Sequence, residues 1–383
     1  MREYLIVLCV AAIVTFLTTP AVRWVAVRFG ALTEVRDRDV HTIPIPRLGG
    51  VGVLVGMCAA VAVASKLPGL QGTFRNTSEM LAVLAAGSMI CALGVLDDRY
   101  DLDPLTKLVG QIACAGILVL MGVQLAFIFI PGTDLGTISL DPNTSFLLTT
   151  VITVATVNAM NFIDGLDGLL SGVAVITALA FFAYSYSLAR QGYGDVFSSP
   201  SLMTVAIAGA CLGFLPHNFN PARIFLGDSG SMLIGLVLAA AAVSTTSRVD
   251  AQSFSGLSTA VPLFMPLLLP IAILAIPIID MVLAVVRRAR KGVNPFSTPD
   301  KMHLHHRLLE IGHTQRRAVI ILYIWTALVA FVGVGMSIIG DPAIVFTVAA
   351  AVAVLAVALM FTPRVRRRID GGAPHIVRRE DVI

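Results

Sequence analysis

Eleven stretches of this chain run for about twenty residues with almost no charge, the length a helix needs to cross the hydrocarbon core of a bilayer. They fall at about 4–27, 48–66, 79–96, 105–124, 146–162, 168–189, 202–217, 229–247, 260–288, 318–339 and 342–362. A transmembrane β-barrel would instead alternate apolar and polar residues over strands of about ten residues. With 57% apolar and 13% charged residues, the chain has too few charges to cover a soluble globule and is too apolar to stay disordered. The reading is an all-α polytopic membrane protein with about 11 transmembrane helices. It forms a single membrane domain over 1–363, followed by a basic tail at 364–383. Pro262, Pro266, Pro270 and Pro277 kink or break the ninth run. The stretch from Gln124 to Ile130 reads as a strand. The first run reads as a retained helix, because Glu3 and the segment Pro20-Ala21-Val22-Arg23 make a poor signal peptide. Cys9, Cys58, Cys91, Cys114 and Cys211 all lie inside apolar runs and read as small buried hydrophobes.

Charge placement gives the orientation. When loops are assigned alternately to the two sides, 22 of the 27 basic residues fall on one side. The positive-inside rule makes that side cytoplasmic, with the N-terminus outside and the C-terminus in the cytoplasm. All seven histidines fall on the same side, as do Asp97, Asp98, Asp101, Asp103, Asp164, Asp167 and Asp228. Any chemistry is therefore expected at the cytoplasmic face of the membrane.

Four constellations could carry it. Asp97-Asp98 ends an apolar run with two adjacent carboxylates, a pairing that a cation would relieve, and Lys107 opens the next run. The simpler reading is a polar helix end at the water line. Asn158, Asn161, Asp164 and Asp167 put four oxygen-bearing side chains within ten residues, followed or separated by Gly165 and Gly168. That composition suits a hard cation or a phosphate, although either aspartate alone could simply cap the next helix. Asp228 stands in Gly227-Asp228-Ser229-Gly230-Ser231 at the start of the eighth run, where helix amides favour anions, and it too could be only a cap. His303, His305 and His306 lie in a basic loop with Lys301 and Arg307, where they read better as phosphate donors than as a zinc site. Asp280, inside the ninth run, receives no role. Carboxylates for Mg²⁺ beside Lys, His and Arg for phosphate suggest phosphoryl transfer at a membrane surface. A transporter of anions or nucleotide sugars is the alternative of another class. It would place its site near the midplane within repeats, and no repeat is visible.

The order GVLDD, NAMNFIDGLDG, FNPARIFLGDSGS and DKMHLHHRL, with Ile43-Pro44-Ile45-Pro46-Arg47-Leu48-Gly49-Gly50 before them, resembles a known family. It is similar to the polyprenyl-phosphate N-acetylhexosamine-1-phosphate transferases, of glycosyltransferase family 4 type, over about residues 30–317. The His-Leu-His-His form and the Asn-Pro-Ala-Arg segment are closer to the WecA/TagO branch than to the related MraY branch. The resemblance implies transfer of GlcNAc-1-phosphate from UDP-GlcNAc to undecaprenyl or decaprenyl phosphate. The products would be polyprenyl-diphospho-GlcNAc and UMP, the first membrane step of cell-envelope polysaccharide synthesis at a bacterial plasma membrane. A phospho-MurNAc-pentapeptide donor remains the neighbouring alternative. The resemblance implies Mg²⁺, with Mn²⁺ as a substitute, held by Asp228 and Asn161. It makes Asp97 the activator of the lipid phosphate with Asp98 beside it, and Lys107, His305 and His306 neutralisers of phosphate charge. Asn158, Asp164, Asp167, His303, Arg47 and His41 become substrate-binding candidates. Direct attack by the lipid phosphate and a covalent aspartyl-phosphate route both stay open. No nucleic acid partner is expected, and a homodimer is left open. One departure stands out: where relatives carry Gly-x-x-Asp-x-Pro-Asn-x-Arg-Lys-x-His, the Asp, Asn and Lys positions are Thr33, Arg36 and Asp39, while Arg38 and His41 remain.

Overall fold

A computed structural model describes residues 1–32, 44–76, 78–129, 137–191, 196–248, 314–339 and 341–361. The elements in chain order are α1 (Arg2–Phe29), α2 (Gly49–Ala64), a 3-10 turn (Pro68–Leu70), α3 (Gln71–Asn76), α4 (Glu79–Tyr100) and α5 (Pro104–Leu120). They continue with β1 (Phe127–Phe129), β2 (Thr137–Ser139), α6 (Pro142–Ile163), α7 (Leu169–Arg190), α8 (Ser199–Asn218) and α9 (Gly227–Arg248). The last two are α10 (Gln315–Ile338) and α11 (Pro342–Phe361). Among the described residues, seven helices are long and apolar enough to span a bilayer. An eighth span arises if α2 is joined to the segment Pro68–Arg75, bent from it by 94°. The protein is thus a mostly helical multi-pass membrane protein. Ten of the eleven expected runs are helical, although α5 and Ala343–Leu359 are shorter apolar helices. The ninth run, with Asp280, and the tail lie outside the described residues. The extended stretch expected near 124–130 contains β1, which pairs antiparallel with β2. Two cysteines depart from expectation: Cys9 is exposed on α1 and Cys58 is half-buried, whereas Cys91, Cys114 and Cys211 are buried.

Local chemistry sets the helix boundaries. Asp103 Oδ1 accepts from the amides of Leu105 and Thr106, both at 3.0 Å, and Pro104 occupies the first turn of α5. Asp141 does the same for α6 with Asn143 and Thr144 at 3.1 Å, again followed by proline. Proline costs nothing in a first turn, where its missing N–H would have no partner.

Helix α9 is the axis of the bundle. It packs against α2, α4, α6 and α8 and is buried along its apolar length. Between helices in lipid, close van der Waals fit replaces the hydrophobic drive, so small residues set the approach. At Gly94 on α4, a Cβ would stand 2.3 Å from Ser229 N and Cα. At Gly50 on α2, it would stand 2.1 Å from Gly230 N. The first turn of α9 is therefore wedged between α2 and α4 at backbone contact. The opposite end of the bundle is closed separately. There Tyr4 Oη donates to Val196 O at 3.0 Å, and Gly69 N donates to Glu3 Oε1 at 3.0 Å.

This contact makes Gly94→Ala a sharp test. Overpacking a rigid backbone contact costs about 1–3 kcal/mol. Thermal unfolding in detergent is expected to show a clear loss for Gly94→Ala. Gly72→Ala, where a Cβ would meet nothing within 4 Å, is expected to unfold like the parent.

Candidate active site

Four helix ends meet at one end of the bundle. Asp97 and Asp98 lie in the last turn of α4, Lys107 in the first turn of α5, Asn161 in the last turn of α6, and Asp228 in the first turn of α9. The Lys107 ammonium stands between two carboxylates, 3.0 Å from Asp228 Oδ2 and ion-paired with Asp97 Oδ2. Asn161 Nδ2 donates to Asp228 Oδ1 and to Ser231 Oγ, each at 2.9 Å. Asp97 Oδ1 accepts from Leu102 N at 2.9 Å, which anchors the short turn between α4 and α5.

The two adjacent aspartates do different things. Successive residues on a helix point about 100° apart. Asp97 faces Lys107, while Asp98 turns toward α9 and accepts from Asp228 N at 2.9 Å and Ser229 N at 3.1 Å. A helix N-terminus leaves its first amides without partners and attracts negative charge. Asp98 meets both needs from another helix. Gly227, at φ 73°, lets it come close, since a Cβ there would stand 2.5 Å from Asp98 Oδ2. The simple capping role left open for Asp228 thus falls to Asp98, and Asp228 presents its carboxylate to Lys107 and Asn161 instead.

One helical turn deeper lies a second polar layer. Asn158 Nδ2 donates to Gln111 Oε1 at 2.6 Å, and Gln111 Nε2 faces Asn158 Oδ1 at 3.4 Å and Met232 Sδ at 3.5 Å. Gln111 follows Lys107 by four residues, Asn158 precedes Asn161 by three, and Met232 follows Asp228 by four. The same three helices therefore supply both layers, and the deeper one fixes the spacing of the upper one. Asn158, expected at the substrate, is engaged in this latch. Gln111 was not singled out by sequence, and its one signal was the i, i+4 spacing from Lys107.

The remaining candidates form a flank. Helix α6 ends at Ile163, so Asp164 is not on the helical face shared by Asn158 and Asn161. Burial, reinforced by the charges of Asp228 and Asp98 and opposed by Arg47, pushes the Asp164 carboxyl up to about 7. Asp167 Oδ2 accepts from Asn220 Nδ2 and Ala222 N, both at 3.0 Å, so it clamps the loop leading into α9. Asn220 Nδ2 also donates to Gln315 Oε1 at 2.7 Å, and Arg316 Nε donates to Asn220 O at 2.7 Å. The segment bearing Arg47 runs beside the same loop: Phe225 N donates to Pro46 O at 2.8 Å, and Gly50 N to Leu226 O at 2.9 Å. His41, His303, His305 and His306 lie outside the described residues.

Among the described residues, no three His, Cys, Asp or Glu side chains converge into a self-sufficient metal cage. Mg²⁺ does not require one, since it commonly takes one or two carboxylates together with substrate phosphates and water. The donors here are hard oxygens, and the protein already sets a cation, the Lys107 ammonium, between two of them. This set fits Mg²⁺ or Mn²⁺.

The fold and this cluster define a multi-pass membrane protein with a carboxylate–lysine site built from helix ends. The profile of glycosyl transferase family 4 matches residues 80–246, which include Asp97, Asp98, Lys107, Asn161 and Asp228. The chain is 48% identical to the decaprenyl-phosphate N-acetylglucosaminephosphotransferase of Mycolicibacterium smegmatis, over 97% of this chain and 91% of that one. It is 32% identical to a probable undecaprenyl-phosphate N-acetylglucosaminyl 1-phosphate transferase of Bacillus subtilis, over 84% and 83%. It is 29% identical to the undecaprenyl-phosphate alpha-N-acetylglucosaminyl 1-phosphate transferase of Salmonella typhi, over 82% and 78%. The chain belongs to glycosyl transferase family 4.

Two outcomes follow from the geometry. Removing a cap costs about 0.5–2 kcal/mol. Asp98→Ala is therefore expected to lower the unfolding temperature, and Asp98→Asn, which keeps one acceptor, to lower it less. Asp164 has a folded-state pKa raised from 3.8 to about 7, so its contribution to stability is complete below about pH 4 and is lost as pH rises through 7. In metal-free buffer the parent should lose stability across that window. Asp164→Asn should flatten the loss, as read by thermal unfolding at stepped pH.

Proposed function

We propose that this protein transfers GlcNAc-1-phosphate from UDP-GlcNAc to a polyprenyl phosphate, giving polyprenyl-diphospho-GlcNAc and UMP. The observation that carries the reading is the convergence of Asp97, Lys107, Asn161 and Asp228 at one end of a lipid-embedded bundle. The names of the relatives support both the lipid and the sugar, and the name of the M. smegmatis relative favours decaprenyl phosphate. The asymmetry of basic residues supports a cytoplasmic site on a bacterial plasma membrane.

In this reading a lipid phosphate oxygen attacks the sugar-linked phosphorus. A new P–O bond forms, the bond from that phosphorus to the bridging oxygen breaks, and UMP leaves with the bridging oxygen. Asp97 takes any proton on the attacking phosphate. Lys107 neutralises charge that builds on the phosphoryl oxygens. Asp228 and Asn161 would hold Mg²⁺, which supplies electrostatic neutralisation of the diphosphate. Arg47 and Asp164, whose charges act on each other, would bind substrate, and Asp98 acts by fixing the first turn of α9. The roles of His303, His305, His306 and His41 at the phosphates and the nucleotide rest on the motifs that carry them. Such catalysis depends mainly on positioning and preorganised charge.

The purified protein in detergent, given labelled UDP-GlcNAc, decaprenyl phosphate and Mg²⁺, is expected to yield labelled lipid and UMP in equal amounts. EDTA should abolish the product, and Asp228→Ala should lower the rate at least about a hundredfold. Release of UDP in place of UMP would mean attack at the sugar carbon and would overturn the reading.

A further inference from the structure

The centre of the site contains three aspartates, and none of their oxygens lacks a donor. Asp98 gives both oxygens to the amides of Asp228 and Ser229. Asp97 gives Oδ1 to Leu102 N and Oδ2 to Lys107. Asp228 gives Oδ1 to Asn161 and Oδ2 to Lys107. A divalent cation arriving here therefore has to displace a donor before it meets a carboxylate oxygen. The backbone amides cannot leave without unwinding the first turn of α9 or opening the turn between α4 and α5. The mobile donors are the Asn161 amide, which turns in place, and the Lys107 ammonium, which ends a flexible four-carbon stem. Exposure identifies the carboxylate a metal reaches first. The Asp228 side chain is 27% exposed and that of Asp97 only 3%, while Lys107 at 28% has open space beside it.

We infer that Lys107 is the ligand-free protein's own counter-cation, standing where the metal must bind, and that metal entry moves its ammonium off Asp228 toward the diphosphate. Without Lys107, Asp97 and Asp228 would face each other across the site as uncompensated like charges, which costs stability. With Lys107 in place, a metal alone gains little, because it exchanges one cation for another and leaves an ammonium without a partner. A diphosphate supplies that partner. Metal and nucleotide sugar then bind synergistically, each removing the obstacle the other meets, and by linkage the enhancement is reciprocal. The nucleotide half of this inference rests on the reading of the protein as a UDP-sugar transferase; the metal half rests on the ion pairs alone.

The test is Mn²⁺ binding to the purified full chain, followed by electron paramagnetic resonance, without nucleotide and with UDP-GlcNAc. The parent is expected to bind Mn²⁺ weakly alone and at least about tenfold more tightly with UDP-GlcNAc. Lys107→Met is expected to bind Mn²⁺ alone at least about tenfold more tightly than the parent, and to gain little further from UDP-GlcNAc. Its unfolding temperature should fall in EDTA and recover with Mn²⁺. If Lys107→Met does not fold, Asp97→Asn with Lys107→Met keeps the site's charge balanced, and it should bind Mn²⁺ more tightly than Asp97→Asn alone. Mn²⁺ affinity unchanged or weakened by loss of the lysine would overturn the inference. A site that gains Mn²⁺ affinity in the lysine variant while UDP-GlcNAc changes nothing in the parent would retain the competition and overturn the synergy; the transferase reading falls only if that protein also forms no labelled lipid and UMP.

Discussion

The two hydrogen bonds from Asp98 to the first amides of α9 are the contact on which the rest of the site depends. Helix α9 is buried through the bundle, so its leading N–H groups cannot turn to water. A buried amide without a partner costs about 1–3 kcal/mol. The carboxylate that answers this need comes from α4, which locks the two helices in register. That register has a steric consequence. The backbones meet at Gly94 and Ser229, and α2 closes from the other side at Gly50 and Gly230. It also has a chemical consequence. With its amides satisfied by Asp98, α9 can point the Asp228 side chain at Lys107 and Asn161 instead of folding it back as its own cap.

Much of the fold was legible because a bilayer imposes a coarse rule. Runs of about twenty apolar residues become helices, and ten of the eleven expected runs do so among the described residues. One helix break was legible too: Gly168 adopts φ 76°. The residues of the central cluster were named from composition at helix ends. Their division of labour was not legible. Asp97 and Asp98 are neighbours with the same chemistry, and only the position of α9, some 130 residues on, decides which becomes a cap. Gln111 escaped for the same reason. A lone glutamine in an apolar run carries only its i, i+4 spacing from Lys107 until α6 brings Asn158 to it.

The flank shows the same logic in a structural role. Asp167 looked like part of a ligand pocket because it shares a short acidic, glycine-punctuated segment with Asp164. Its carboxylate instead holds Asn220 and the amide of Ala222, and Asn220 in turn joins α10 through Gln315 and Arg316. Asn218 adds a second tie, accepting from Gly168 N at 3.1 Å and Ser171 Oγ at 2.8 Å. The loop that delivers Gly227 and Asp228 is therefore fixed from α7, α8 and α10 at once. A charged side chain held by this many elements is preorganised, which is the physical basis of electrostatic catalysis.

Depth in the membrane is the remaining constraint, and α5 sets it. This helix turns Gln111, Cys114 and Leu118 inward, while Leu105, Val109 and Leu120 face outward. Its 17 residues span about 26 Å at 1.5 Å per residue, somewhat less than the roughly 30 Å of a hydrocarbon core. A helix of that length that reaches the far interface with one end brings the other end just below the near one. For a helix so placed, Lys107, one turn in, falls near the edge of the hydrocarbon. Lys107 and Asp228 are each about a quarter exposed, at 28% and 27%, while Asp97 is at 3%. The short helix, the part-exposed lysine and the buried Asp97 together put a charged cluster, open on its Lys107 and Asp228 side, at the end of an apolar bundle.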